Sequence, residues 1–202
     1  MPGDKTPEAP FTVLLVCTGN ICRSALAERL GRAYLEEVLG EDAAAVRIVS
    51  AGAHAVVDAA MHPHSALVLQ GYGAEPGDFR AQQLTRRLAV EADLTLTMTR
   101  GHRREVLQLA PRALGRTFTL REAAGALALV GRGDAAGATF GERARRLVAA
   151  MADARSRRPA GEDDVPDPIG RPVDAHQEAG ALIADALIPL LARLAGLVRG
   201  PN

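Results

Sequence analysis

The sequence predicts an α/β domain of three layers, αβα, around a four-stranded parallel twisted sheet. Three observations carry this. Short apolar runs rich in β-branched residues alternate along the chain with segments of helical period. The links between them are short, as right-handed crossovers between parallel strands require. Gly40, Pro63, Gly71 and Pro111 stand at the ends of periodic segments, where they stop or start an element.

The elements follow in order. Residues 11–16, FTVLLV, form a buried strand. From Ser24 the period changes. Leu26, Leu30, Tyr34 and Val38 recur every fourth residue, with Leu35 and Leu39 beside them, giving an amphipathic helix closed by Gly40. Residues 46–49 are a second strand. Pro63 opens a helix that stops at Gly71. A helix-like turn over 85–91 precedes a third strand at 94–98. Residues 103–109 are helical, and 116–118 form a short fourth strand. Residues 125–164 differ: Phe140, Ala144, Leu147 and Met151 line one helical face, but the loops GRGDAAG and RSRRPAGEDD flank it. This stretch is expected to be an insertion-like excursion from the core. A last helix spans about 174–198. Residues 1–10 are expected to be a disordered tail, and 11–200 a single domain.

The 202 residues are 48% apolar, enough for one real core. Lys+Arg and Asp+Glu both number 24, so no basic excess points to nucleic acid. The start, MPGDKTPEAP, lacks the features of a signal peptide. The most apolar stretch, 179–198, is broken by Asp185, Pro189 and Arg193, so no membrane span is expected. Two cysteines without an export signal suggest a reducing, cytoplasmic setting. Oligomeric state is not legible.

Both cysteines fall in VCTGNICRS, between the first strand and the first helix. In parallel sheets ligands bind beyond the carboxyl ends of strands. Five residues between Cys17 and Arg23 suffice to curl the backbone round a tetrahedral oxyanion. Thr18, Gly19, Asn20, Ile21 and Cys22 make that curl, and Gly19 and Asn20 tolerate left-handed dihedrals. Inward amides and the following helix N-terminus supply positive potential. Arg23 adds a planar fork for two oxyanion oxygens, and Ser24 follows it. The same field favours the thiolate form of a cysteine placed there, and a thiolate under a bound phosphoryl group is an in-line nucleophile. A leaving oxygen needs a proton. Asp167, held between Pro166 and Pro168 in DDVPDPIG, is the candidate acid, whereas Asp163 and Asp164 are expected to be solvated loop charge.

VCTGNICRS followed by ALAE resembles the active-site loop of the low-molecular-weight protein tyrosine phosphatases. SAG at 50–52, ADLTLTM at 92–98 and Asp167-Pro168 follow in that family's order. The resemblance implies hydrolysis of phosphotyrosine in a phosphorylated protein partner through a phosphocysteine. It makes Cys17 the nucleophile, Arg23 the phosphate clamp, Ser24 a donor to the leaving sulfur, Asn20 the brace of the loop and Asp167 the general acid. Cys22 matches a second loop cysteine that in the family forms a reversible disulfide with the nucleophile; it is otherwise a small buried apolar residue. The chain departs from the family in four places. Ile169 and Gly170 follow Asp167-Pro168 where aromatics usually wall the cleft. AHAVVD follows SAG without an aromatic. Ala25 replaces a frequent proline, and FRAQ at 79–82 replaces a segment that often begins with histidine. Related arginine phosphatases carry threonine where Ile21 stands, which speaks against phosphoarginine.

No cofactor and no metal are expected, since no His/Cys/Asp cluster shows ligand spacing. His62 and His64 in MHPHS lack a third ligand nearby in sequence. His54, His102 and His176 are expected to be isolated surface residues, and Arg155, Arg157 and Arg158 a solvated face. GRGDAAG lacks the third glycine of a dinucleotide loop. Two alternatives stand beside the hydrolase. One is an arsenate reductase using an external small thiol, since no cysteine after Cys22 exists to relay a disulfide. The other is a non-catalytic phosphate-binding or redox-sensing module.

Overall fold

The computed structural model of the protein describes residues 9–200. The expected tail lies outside the described residues as far as residue 8; Ala9 and Pro10 are exposed. Strands β1 (Phe11–Cys17), β2 (Val46–Gly52), β3 (Leu94–Thr97) and β4 (Thr117–Thr119) form one parallel sheet in the order β2-β1-β3-β4. The chain leaves β2 and returns on the other side of β1. The carboxyl ends of β1 and β3 therefore flank the point where the winding reverses, which is where such sheets open a crevice.

Around the sheet lie α1 (Arg23–Leu39), α2 (Pro63–Gly71), α3 (Arg86–Glu91), α4 (Arg100–Leu109), α5 (Leu120–Leu127), α6 (Phe140–Ala154) and α7 (Val173–Val198). Side chains alternate across β1. Phe11, Val13, Leu15 and Cys17 face the larger core, shared with α1, α5, α6 and α7; Leu14 and Val16 face a smaller one, closed by Ala89 of α3 and Val106 of α4. Covering both faces requires the unbroken apolar run FTVLLV rather than an alternating one. Gly31 lets α1 lie directly on its neighbours: a Cβ there would meet Ile48 Cδ1 at 2.8 Å and Leu191 Cδ1 at 3.1 Å. On α1 the buried seam is Leu26, Leu30, Leu35 and Leu39, and Tyr34 and Val38 flank it half-buried. Helix α4 begins at Arg100, before the expected 103, because Thr99 caps it, its Oγ1 accepting from His102 N at 3.2 Å.

Two expectations are corrected. Within residues 125–164, helix α6 does not leave the core, although its flanking loops are mostly exposed. Ala144, Leu147, Val148 and Met151 of α6 are buried in the larger core. Just beyond α6, Arg155 donates from Nη2 to Thr117 O at 2.8 Å and stacks 4.2 Å above the Phe118 ring, so the segment closes the outer edge strand. Polar flanking loops describe how a helix is connected, not where it docks. Helix α7 is long and apolar enough by length and composition to cross a membrane, despite Asp185, Pro189 and Arg193. Its apolar face, including Ile183, Leu187, Leu191 and Leu194, is buried within the domain against α1, α2 and α5.

Candidate active site

The loop over residues 18–22 joins β1 to α1 at the carboxyl edge of the sheet. Asn20 is fully buried with φ 55°, the left-handed conformation the tight curl needs. Its side chain holds the curl from inside. Nδ2 donates to Ser24 Oγ and to Ser50 Oγ, both at 2.8 Å, and Oδ1 accepts from Gln82 N at 2.8 Å. With its oxygen accepting from Asn20, Ser24 is left to donate its hydroxyl to Cys17 Sγ, 2.9 Å away. Ser50 in turn donates to Glu28 Oε2 at 2.5 Å, and Glu28 pairs with Arg32 at 2.8 Å. The segment after β2 wraps the outside of the loop: the amides of Ala53, His54, Val56 and His62 donate to the carbonyls of Cys17, Thr18, Gly19 and Ile21. This wrap explains SAG. A Cβ on Gly52 would lie 2.5 Å from Thr18 O, so no other residue lets β2 pass so close.

Arg23, almost wholly buried, crosses from α1 to the far wall. Its Nη1 donates to Val165 O at 2.9 Å and its Nη2 pairs with Asp167 at 2.6 Å. Asp167 is half-exposed, and its Oδ1 accepts from Ile169 N at 3.2 Å. Val165 N donates to Met98 O at 2.8 Å, which docks this strand of chain beyond β3. Cys17, Thr18, Gly19, Ile21, Cys22, Arg23, His54, Val56, Asp167 and Ile169 together line a cleft of about 220 Å³. A larger hollow of about 410 Å³ lies at the opposite, amino end of β3 and β4, lined by Val90, Asp93, Arg116 and Arg145, and it holds no nucleophile.

The family model for low molecular weight phosphotyrosine protein phosphatase matches residues 12–128, from β1 through α5. The chain belongs to this family. Etp of Escherichia coli, a low molecular weight protein-tyrosine-phosphatase, is 35% identical over 107 residues, which are 53% of this chain and 67% of Etp. The "Probable low molecular weight protein-tyrosine-phosphatase EpsP" of Ralstonia solanacearum is 37% identical over 111 residues, 55% of this chain and 71% of EpsP. Among solved structures, the low molecular weight protein tyrosine phosphatase of T. tengcongensis superposes with TM-score 0.64 at 26% identity, covering 91% of this chain and 97% of that one. The YwlE arginine phosphatase of Geobacillus stearothermophilus superposes with TM-score 0.63 at 26% identity, covering 94% of each chain. Helix α6 and the Asp167 loop lie beyond the matched residues, so in this phosphatase-family chain the far wall of the cleft rests on the structure itself.

That wall corrects several sequence expectations. Asp163 is not solvated loop charge, whereas Asp164 is exposed as expected, with one backbone partner. Asp163 joins Arg158 at 2.6 Å and Arg100 at 2.8 Å, and Asp164 Oδ1 accepts from Arg100 N at 2.8 Å. Burial pushes the Asp163 carboxyl up, but its hydrogen bonds from Arg158 and Arg100 outweigh this and hold it below the usual carboxylate range. Arg155 and Arg158 are likewise engaged, Arg155 also pairing with Glu122 at 3.0 Å. His102 is not a surface residue. It is buried, with Nδ1 3.0 Å from Thr99 Oγ1 and Nε2 2.9 Å from Thr18 Oγ1, and Arg23 Nη2 reaches that same hydroxyl at 3.4 Å. Burial first, and Arg23 second, push its pKa down to about 4, so at neutral pH it is uncharged, with one ring nitrogen donating and the other accepting. His176 is also buried, against Ser65. His54 is exposed as expected, and pairs with Glu105 at 3.1 Å.

Sequence reasoning gave no site role to Glu28, Gln82 or His102. Glu28 carried a signal, a carboxylate on the apolar face of α1 between Leu26 and Leu30. Gln82 and His102 carried none, because their partners lie 62 and 84 residues away. Cys22 is a free, buried thiol beside Ser65, and burial raises its pKa to about 11.

Proposed function

We propose that the protein hydrolyses phosphate monoesters, with phosphotyrosine in proteins as the substrate, by way of a phosphocysteine on Cys17. The observation that carries this is the convergence of Cys17, Arg23 and Asp167 on one cleft from two distant stretches of chain. Arg23 Nε is buried and finds no partner among the described residues, which leaves a guanidinium N–H for a phosphate oxygen. The Cys17 thiolate attacks phosphorus while Asp167 gives its proton to the departing phenolic oxygen. Asp167 then takes a proton from water as that water attacks the phosphocysteine, and the sulfur leaves as thiolate, stabilised by the Ser24 hydroxyl at 2.9 Å. Thr18, Gly19, Asn20, Ile21 and Cys22 form the cup, with Asn20 as its brace. An arginine phosphatase 25% identical to this chain has been solved as a mutant with a phosphorylated active site serine, which supports a covalent phosphoryl intermediate at the equivalent place. Two free cysteines fit action in a reducing cytoplasm.

Specificity rests on an aliphatic wall. Ile21, Val56 and Ile169 stand around the mouth, with Val56 and Ile169 about half exposed, where an aryl ring can pack without an aromatic partner. The test is hydrolysis of p-nitrophenyl phosphate, a phosphotyrosine peptide and a phosphoarginine peptide under reducing conditions. Wild type is expected to cleave the first two, and Cys17→Ser neither. Substantial turnover by Cys17→Ser removes the nucleophile assignment, and preferential cleavage of phosphoarginine removes the substrate assignment. Asp167→Asn is expected to lose about 10²-fold or more on phosphotyrosine and markedly less on p-nitrophenyl phosphate, whose better leaving group needs less protonation. Equal losses on both substrates would argue against the acid role.

A further inference from the structure

Helices α1, α2 and α7 begin at one place, directly behind the loop. Cys22 stands at the N-cap position of α1, His62 caps α2, and His176 lies in the first turn of α7. A sulfur and an imidazole nitrogen from each histidine lie within 4.8 Å of one another. His176 is almost wholly buried, and among the described residues its Nε2 makes no hydrogen bond of good geometry, the backbone of Pro168 being the polar group beside the ring. Its other nitrogen, Nδ1, is held by Ser65 Oγ at 2.9 Å, and Ser65 also touches the Cys22 thiol. His62 uses Nδ1 to accept from His64 N at 3.2 Å, which leaves Nε2 as its available donor atom. The His62 and His176 rings stack with centroids 4.7 Å apart, and His64 packs edge-on against both, its own buried Nδ1 without a partner among the described residues.

We propose that Cys22, His62 and His176 form a binding site for a borderline-soft divalent ion of the Zn²⁺ type, built into the back of the active-site loop. One thiolate and two imidazoles suit Zn²⁺, and the cluster offers no oxygen ligands of the kind Mg²⁺ and Ca²⁺ require. A tetrahedral zinc with bonds of about 2.0–2.3 Å needs donors about 3.3–3.8 Å apart. Side-chain rotations that bring the three donors roughly 1 Å closer satisfy this. Ser65 then acts as the outer partner that fixes the ring of a ligating histidine. Coordination releases the Cys22 thiol proton to solvent. The ion would tie the loop to α2 and α7 and withdraw Cys22 from disulfide chemistry with Cys17.

Titration of the full chain with Zn²⁺, and with Co²⁺ as a spectroscopic stand-in, tests this under a non-chelating reductant. Expected are one equivalent bound, a thiolate-to-cobalt charge-transfer band, and a rise in Tm with Zn²⁺. Cys17→Ser keeps all three. His62→Ala and the volume-conserving His176→Gln weaken binding about 100-fold or more, with their folds checked by circular dichroism. Three outcomes overturn the proposal: no saturable 1:1 binding, a band lost in Cys17→Ser, which places the metal on the nucleophile, or a band that survives both histidine substitutions. Because Cys17 takes no part in the site, failure here leaves the hydrolytic reading intact, and the reverse.

Discussion

Asn20 carries two demands at once. Its backbone adopts a left-handed φ of 55°, and its side chain spans Ser24, Ser50 and the Gln82 amide from a fully buried position. Glycine would meet the first demand and not the second; alanine would meet neither. Losing these bonds leaves buried polar groups unpaired at about 1–3 kcal/mol. Asn20→Gly is therefore expected to lower kcat/KM about 10- to 100-fold, and Asn20→Ala further, since a Cβ at that φ costs about 1–2 kcal/mol more. Steady-state kinetics on p-nitrophenyl phosphate measure both. If the two variants behave alike, backbone strain is no part of what Asn20 manages. The type of residue at this position was legible in VCTGNICRS, but the partners that make it necessary were not, because they arrive from β2 and from the chain beyond α2.

Among the elements, the stretch that carries Asp167 is positioned by ion pairs together with the buried side chain of Val165. It has no regular structure between Arg157 and Val173. Asp163 clamps it between Arg100 at the start of α4 and Arg158, Asp164 caps the Arg100 amide, and Val165 adds one backbone bond beyond β3. Asp163→Ala removes the central anion and leaves two arginines facing each other. It is expected to lower kcat on phosphotyrosine about 10-fold while changing that on p-nitrophenyl phosphate little, because it loosens the proton donor and not the cup. Equal losses on both substrates would mean that the clamp supports the whole cleft. Composition alone made this acidic run look solvated. Only docking against α4 shows which arginines take up its charge.

For the molecule as a whole, His102 links the site to stability. In the folded protein its pKa is about 4, against about 6.5 when unfolded. The unfolded chain thus binds more protons between these values. Stability is complete above about pH 6.5 and falls as pH drops toward 4, by up to about 3 kcal/mol. His62 and His176, also shifted downward by burial first, act in the same direction. Urea midpoints measured from pH 7.5 to 4.5 should fall with acid, and His102→Gln should flatten part of that slope. An unchanged slope would show that His102 titrates normally in the folded state.

By itself the sequence determined the alternation of strands and helices, the parallel sheet, and the C-x5-R-S loop at its carboxyl edge. All of these depend on neighbours within a turn or a strand, and local periodicity and turn chemistry report such neighbours directly. Family membership followed from the same local signals. Tertiary structure decided the rest. It placed α6 in the core and α7 against α1, α2 and α5. It buried His102 beneath Thr18 and set His176 beside Cys22, across 84 and 154 residues of chain. A lone histidine carries no mark of its surroundings. Only the folding of distant segments onto one sheet edge gives it a charge state, a partner and a ligand's geometry.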